Sequence, residues 1–236
     1  MPLNNNEITR FPNGVNNSQL DKIFSSMPFL DPTKFHTYDD DFDQFVAADW
    51  TITETQAGAT QALTAGDGGQ LSLVNSAADD DVNQIQKLPA AFLPVIGKRL
   101  FMLCRFSVSD LVQSDVAVGL INASADATVL ANSVDGLFFL KADGAAAVSV
   151  YSRQDNAAGS VTAVVGNLVA GFNDLSLYYD GGDRAYYSLN GAMVGALTVA
   201  AGTFPNAITT VTASLKNGEA VAKTLIVDRL YVAQER

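Results

Sequence analysis

Apolar and polar residues alternate most regularly between Arg99 and Val108. Successive side chains of a strand point to opposite faces of a sheet, so this alternation predicts a strand with one buried face. The positions predicted to be buried are Leu100, Met102, Cys104, Phe106 and Val108. Further strands are predicted at residues 48–56, 70–74, 83–88, 116–122, 136–142, 147–151, 161–165, 208–215 and 224–232.

Two more strands are predicted between residues 172 and 191, separated by a glycine turn. Leu175, Leu177 and Tyr179 lie on one face of the first strand, and Asn190-Gly191 is a strong signal for a tight hairpin turn. No long stretch repeats every 3.6 residues, which argues against parallel βαβ architecture. Short strands separated by polar turns predict an antiparallel sandwich. Leu225 and Val227 in the last strand should be buried with the other apolar positions.

The same hairpin carries a resemblance to a known fold. Residues 172–181 read aromatic-x-x-Leu-x-Leu-x-Tyr-Asp-Gly, and they are followed by Leu189-Asn190-Gly191 and Val194-Gly195. This segment resembles the central hairpin of concanavalin A-like (laminin G-like) β-sandwiches. The resemblance implies an all-β jelly-roll sandwich of two antiparallel sheets, and it implies little about function, since one fold supports many functions.

The composition changes near Phe35, where the first 36 residues give way to the predicted sandwich of residues 37–236. The early stretch is rich in proline and asparagine, which suppress sheet formation, and it has too few apolar residues for a separate core. Two interpretations remain: a disordered terminus, or an extended arm that packs on neighbouring chains. The arm is favoured because of its apolar residues. These candidate subunit-binding or capsid-binding anchors are Phe11, Leu20, Ile23, Phe24, Met27, Phe29 and Leu30.

Composition excludes several classes of partner. The 236 residues carry a net charge of −11 and 48% hydrophobic side chains, so we expect one folded domain with a sizeable core and no nucleic-acid or anionic-membrane surface. No apolar run is long enough to span a bilayer, and the start of the chain does not resemble a secretory signal, which predicts a protein made in the cytoplasm. A single cysteine excludes an internal disulfide framework.

Candidate catalytic and metal-binding residues are sparse. The one histidine, His36, cannot form a site built on several imidazoles. The acidic runs at Asp39–Asp43 and Asp79–Asp81 lack the ligand spacing of a calcium loop and are interpreted as solvated faces. Glycoside hydrolysis needs two carboxyl groups about 5–5.5 Å apart for retention, and no glutamate begins such a pattern, while Asp228 stands alone in the last strand. A pair of aspartates on neighbouring strands stays open as an alternative. We therefore predict no cofactor, no metal and no enzymatic activity.

Two tyrosine pairs, Tyr178-Tyr179 and Tyr186-Tyr187, lie in the two strands of the hairpin. Exposed aromatic rings can stack on sugar rings, so Tyr178 and Tyr187 are candidate glycan-binding residues. The favoured alternative is structural: one tyrosine of each pair faces each side, with one set in the core and the other forming a cross-strand ladder on the surface.

A second resemblance concerns function. The segments Arg10–Asn17, Asp31–His36, Ala48–Thr53 and Gly136–Phe139 are similar to segments of tailed-bacteriophage virion proteins. This resemblance implies a viral structural protein, a capsid decoration (cement) protein on the outer capsid surface of the virion. It would bind the lattice of the major capsid protein, stabilise the head and self-associate, often as a homotrimer. The alternative is a glycan-binding adhesion module on the particle that recognises a surface polysaccharide.

Overall fold

The computed structural model of the chain describes residues 34–130, 134–154 and 159–236. The predicted anchors of the arm, from Phe11 to Leu30, lie outside the described residues. The described chain is built almost entirely from β-strands, with one short 3-10 turn at Ala47–Asp49. Within those ranges there is no apolar helix of membrane-spanning length.

The strands form two antiparallel sheets, which confirms the predicted sandwich. In chain order they are β1 (Phe35–Asp40), β2 (Trp50–Glu54), β3 (Thr60–Thr64), β4 (Gln70–Val74), β5 (Val82–Lys87), β6 (Leu100–Val108), β7 (Ser114–Ile121), β8 (Gly136–Lys141), β9 (Ala147–Gln154), β10 (Gly159–Asn167), β11 (Asn173–Tyr179), β12 (Arg184–Leu189), β13 (Ala192–Thr198), β14 (Thr210–Asn217) and β15 (Thr224–Glu235). Sheet A has the order β13-β12-β11-β6-β15-β4-β3, and sheet B has the order β10-β9-β8-β7-β14-β5-β2.

The core lies between the inner faces of the two sheets. All the apolar positions that alternation predicted to be inward are buried, and Leu177, Leu225 and Val227 have no exposed surface. The hairpin turn is also confirmed, since Asn190 and Gly191 have φ values of +50° and +79°. Two successive residues with positive φ form the type I′ turn whose twist matches that of the flanking strands.

The long strand β15 organises sheet A. It pairs with β6 along one side, whereas its other side pairs first with β4 and then with β1. A register shift between Val227 and Arg229 separates these two parts. Because Phe35 pairs with Glu235 and is buried, β1 is part of the sandwich from Phe35 onward. The two ends of the described chain therefore lie side by side.

One end of the sandwich contains a buried ion-pair cluster. The Lys223 Nζ lies 2.8 Å from Asp110 Oδ2 and 2.5 Å from Glu219 Oε1. Burial opposes the charge of Lys223, but hydrogen bonds to Asp110 and Glu219 outweigh it, so the pKa of Lys223 is raised. The hydrogen bond from Lys223, followed by those from the Gln113 and Val112 N–H groups, holds the pKa of Asp110 well below its ordinary value of 3.8.

This cluster predicts acid sensitivity. A carboxyl group with a depressed pKa in the folded state stabilises the fold above its unfolded-state pKa, and that stabilisation is lost as the pH falls below 3.8. We expect Asp110→Asn to lower the free energy of unfolding at pH 6 and to reduce the fall in stability between pH 5 and pH 2. Urea denaturation at several pH values measures both effects. Parallel stability curves for the two proteins would contradict this assignment.

Candidate functional site

The outer face of sheet A carries an apolar surface that a two-layer sandwich does not need for its own core. We call it the aromatic face, and it consists of Phe35 and Phe101, which are buried, and of Leu103, Tyr178, Tyr186 and Tyr231, which are half-buried. Tyr178 lies directly opposite Tyr186 on β12, with ring centroids 6.4 Å apart, and opposite Phe101 on β6. The Phe101 and Tyr231 rings are 5.7 Å apart. The aromatic face therefore crosses β12, β11, β6, β15 and β1 as one continuous band.

Ion pairs border the aromatic face. Arg105 Nη1 lies 3.0 Å from Asp174 and its Nε 2.8 Å from Asp228, while Arg229 Nη2 lies 2.8 Å from Asp39. These groups are partly exposed, so each pair adds little to folding stability. An aromatic centre with a charged and polar rim is instead the composition of protein-binding surfaces.

The outer face of sheet B is arranged differently, because the loop between β7 and β8 covers much of it. Two glutamine side chains of β5 attach this loop by paired hydrogen bonds. Gln84 accepts from the Ala127 N–H at 2.8 Å and donates to the Ser124 carbonyl at 2.7 Å. Gln86 accepts from the Ser124 N–H at 3.1 Å and donates to the Asn122 carbonyl at 3.0 Å. These contacts hold the loop at a defined position on the sheet.

An additional small core lies beneath the loop. Ala117, Ile121, Phe138 and Leu140 point outward from β7 and β8, and they contact Ala127 and Val134 of the loop. The Phe138 ring stacks on Tyr151 at 5.3 Å. The central strands of sheet B are thus buried on both faces, and an opening lies toward the β2 edge.

That opening is a cleft of about 390 Å³, which we call the sheet B cleft. Its lining residues are Thr51, Thr53, Gln86, Lys87, Leu88, Ala90, Ala123, Ser124, Ala125 and Thr210. Hydroxyl and amide groups predominate among the polar atoms, and Lys87 pairs with Asp49 at 3.2 Å. None of these described lining residues has a carboxyl or imidazole side chain, so they can hydrogen-bond a polar ligand but cannot supply the acid and base of hydrolysis.

The structure separates the two tyrosines that were candidates for glycan binding. Tyr178 lies on the aromatic face, whereas Tyr187 is buried in the main core on the opposite side of sheet A. The partner of Tyr178 on the surface is Tyr186, and Tyr179 is buried with Tyr187. The favoured structural interpretation of the pairs, with one set in the core and one surface ladder, is confirmed. The register of the hairpin decides which residues pair, and its turn length was the signal available in the sequence.

The acidic runs participate in internal contacts. Asp40 accepts from the Tyr38 hydroxyl at 2.7 Å and from the Phe42 N–H at 2.9 Å. Buried Asp81 accepts from Thr55 Oγ1 at 3.0 Å and from the Ser76 N–H at 2.7 Å. No group of three or more metal-binding side chains occurs in the part of the chain that the structure describes.

The single histidine and the single cysteine are both packed against other side chains. The His36 ring stacks on Phe92 at 4.5 Å, and burial followed by the charge of Arg236 lowers its pKa. Complete burial raises the pKa of Cys104 to about 12, so the thiol is unreactive at neutral pH.

Solved structures with the same arrangement of strands identify the fold. An endo-1,3-β-glucanase from Streptomyces sioyaensis is 14% identical with a TM-score of 0.60, covering 89% of this chain and 99% of the other. The carbohydrate recognition domain of Emp47p is 13% identical with a TM-score of 0.58, covering 86% and 97%. The fold is a concanavalin A-like jelly roll.

A protein of unknown function from Shewanella oneidensis has the same jelly roll, at 14% identity and a TM-score of 0.58, covering 86% of this chain and 87% of that one. No family model and no curated protein sequence matches the chain. At these identities the likeness is one of fold, and the jelly roll by itself is compatible with both enzymes and binding modules.

Proposed function

We propose that this chain is a binding module of a virus particle: a capsid decoration protein that attaches to the lattice of the major capsid protein and reinforces the head. The observation that carries the proposal is the aromatic face. Its apolar centre and its border of arginine–carboxylate pairs have the composition of a surface that docks on protein. Several segments resemble tailed-phage virion proteins, and this resemblance is the reason for proposing a virus particle.

The predicted arm provides a second attachment in this proposal. The seven predicted anchors between Phe11 and Leu30 would bind a neighbouring subunit or the lattice, and a few buried aromatic residues usually dominate the energy of such contacts. Many weak contacts made at once would hold the protein on a particle far longer than one contact holds it in solution. A homotrimer would multiply these contacts further.

A non-catalytic role is part of the proposal. The lining of the sheet B cleft offers threonine, glutamine, serine and lysine side chains but no pair of carboxyl groups. Asp228 is occupied by Arg105 and by Gln70, whose Nε2 donates to it at 3.0 Å. Both observations favour binding over hydrolysis.

The proposal predicts that the aromatic face is needed for attachment. Purified protein is mixed with phage particles that lack it, and the bound fraction is measured by sedimentation. We expect the double variant Tyr178→Ser, Tyr186→Ser to bind at least about tenfold more weakly. Each aromatic side chain in such an interface contributes roughly 1 kcal/mol or more to the binding free energy.

The matched control is Val164→Ser, which removes an apolar side chain that is 65% exposed on β10 of sheet B. It should leave attachment unchanged, and thermal denaturation should show that all variants are folded. Equal attachment of the tyrosine double variant and the native chain would contradict the proposed docking face.

The second candidate function is glycan binding on the particle, and the sheet B cleft is the observation that favours it. Its threonine and serine hydroxyl groups suit the hydroxyl groups of a polysaccharide, and two of the structurally similar proteins are named as a glucanase and a carbohydrate recognition domain. Ala125 lines the cleft and is exposed. Filling the cleft with Ala125→Trp should therefore abolish any binding found on a glycan panel, whereas Ala145→Trp in the exposed β8–β9 turn should not. Retained binding in the Ala125→Trp variant would place the glycan elsewhere.

A further inference from the structure

An apolar groove lies at the end of the sandwich where β1 begins and β15 ends. We call it the end groove, and it has a volume of about 320 Å³ between the loops before β6 and before β14. Its lining residues are Leu93, Pro94, Val95, Ile96, Ala201, Phe204, Pro205 and Asn206. Leu93, Val95 and Ile96 are 44%, 38% and 47% exposed, so a large apolar surface faces solvent at one place.

The first described residues of the chain lie beside this groove. The His36 ring stacks on Phe92, the residue that precedes the groove loop, and Gln234 opposite His36 donates to the Leu93 carbonyl. The Arg236 N–H donates to the Lys34 carbonyl at 2.7 Å. Lys34, the residue to which the first 33 residues are joined, therefore lies beside the end groove.

We propose that the end groove binds residues 27–30 of the same chain, Met27-Pro28-Phe29-Leu30. Leu30 and Phe29 are four and five residues before Lys34, which in an extended chain is a reach of about 13–17 Å. Pro28 and Pro32 favour extended backbone on either side and lack N–H groups that would need partners in an apolar groove.

The same chain is the favoured occupant for two reasons. A segment tethered within a few residues of its site has an effective concentration near the millimolar range, so a second copy competes poorly at ordinary concentrations. The second reason is that a positive and a negative side chain would lie near each other. Lys98, whose N–H donates to the Val95 carbonyl at 3.1 Å, lies at the end of the groove loop, and Asp31 follows the docked residues.

This docking would divide the predicted arm into two parts with different tasks. Met27, Phe29 and Leu30 would fix the departure point of the arm on the sandwich, leaving Phe11, Leu20, Ile23 and Phe24 to bind a partner. The end groove and the aromatic face are separate surfaces, so the inference is independent of attachment to a particle.

Cysteine cross-linking in the full chain tests this inference. The variant Leu30→Cys, Ile96→Cys is oxidised under mild conditions, and the native Cys104 does not interfere because it is buried with a pKa of about 12. We expect a disulfide within one chain, detected as a monomer on non-reducing electrophoresis with loss of both free thiols. In the control Leu30→Cys, Val112→Cys, the second cysteine replaces a side chain that is 44% exposed on the loop at the opposite end of β6. That control should cross-link at least tenfold more slowly.

A second measurement uses the chain without added cysteines. Chymotrypsin cleavage after Phe29 should be at least fivefold faster in Ile96→Asp than in the native chain, because a carboxylate in the groove displaces the segment. The same substitution at Val112 should have no effect. A dimer formed by cross-linking between chains, equal cross-linking in the two cysteine pairs, or equal cleavage rates in Ile96→Asp and the native chain would each overturn the inference.

Discussion

Replacing Phe106 with alanine is expected to lower the free energy of unfolding by about 3–5 kcal/mol. Phe106 lies at the centre of sheet A, where it pairs with Val227 of β15 and Asn173 of β11, and it is 1% exposed in the main core. Truncation removes the transfer free energy of the ring and leaves a cavity, because strands paired on both sides cannot move inward to fill it.

Urea denaturation measures this effect as a shift of the midpoint at unchanged slope. The control is Leu63→Ala in β3, where the side chain is 47% exposed and the change should stay within about 0.5 kcal/mol. A loss below 1 kcal/mol at Phe106 would mean that the core of sheet A is not packed as described.

Replacing Gly119 with alanine is expected to lower the free energy of unfolding by about 2–6 kcal/mol. Gly119 lies in β7 at φ +140°, and an added Cβ would come within 2.7 Å of Phe138 Cα and 2.8 Å of the Leu137 carbonyl oxygen. The backbone strain and the close approach of two central strands each cost roughly 1–3 kcal/mol. Moving the backbone of β8, or the loop above it, away from the added Cβ would itself cost free energy.

The control for Gly119 is Gly171→Ala, which isolates the backbone part of the effect. Gly171 also has positive φ, at +87°, but no atom lies within 4 Å of its added Cβ, so its replacement should cost about 1–2 kcal/mol. Thermal and urea unfolding of the two variants give the difference. Equal losses at the two glycines would contradict the close packing of β7 against β8.

Alternation predicted the strands that are buried on one face and missed those without a buried face. β6 and β11 alternate cleanly, and both lie in the interior of sheet A. β3 and β13 are edge strands whose side chains are mostly exposed, so neither shows a two-residue period. The pairing of Phe35 with Glu235 leaves no local signal in the sequence, because it joins residues 200 positions apart.

The sequence does indicate that sheet B is covered on its outer face, through apolar residues at the outward positions of β8. All of β8 is buried, and Phe138 and Leu140 are apolar at positions that point away from the main core. Apolar residues on both faces indicate a strand covered on both sides. The identity of the cover was not predictable, since it depends on Gln84 and Gln86, polar residues whose amides contact a loop some 40 positions later.

For the aromatic face, one residue could be identified from the sequence, but not the set of residues that surround it. Tyr178 was identified, yet its neighbours Tyr186, Phe101 and Tyr231 come from strands far apart in the chain and meet only through the order β12-β11-β6-β15. The sheet B cleft, made of threonines, alanines and a glutamine, has no residue type that stands out in a sequence. Strand order in a jelly roll is set by non-local pairing, which local patterns do not encode.

Electron cryomicroscopy of intact phage particles, made with and without this chain, tests the central proposal most directly. Decoration predicts difference density on the outside of the head that fits a two-sheet sandwich, with the aromatic face of sheet A turned toward the major capsid protein. It also predicts that this density disappears for the double variant Tyr178→Ser, Tyr186→Ser while the control Val164→Ser retains it. Heads that are identical with and without the chain, or a sandwich bound with sheet A facing solvent, would contradict the proposal.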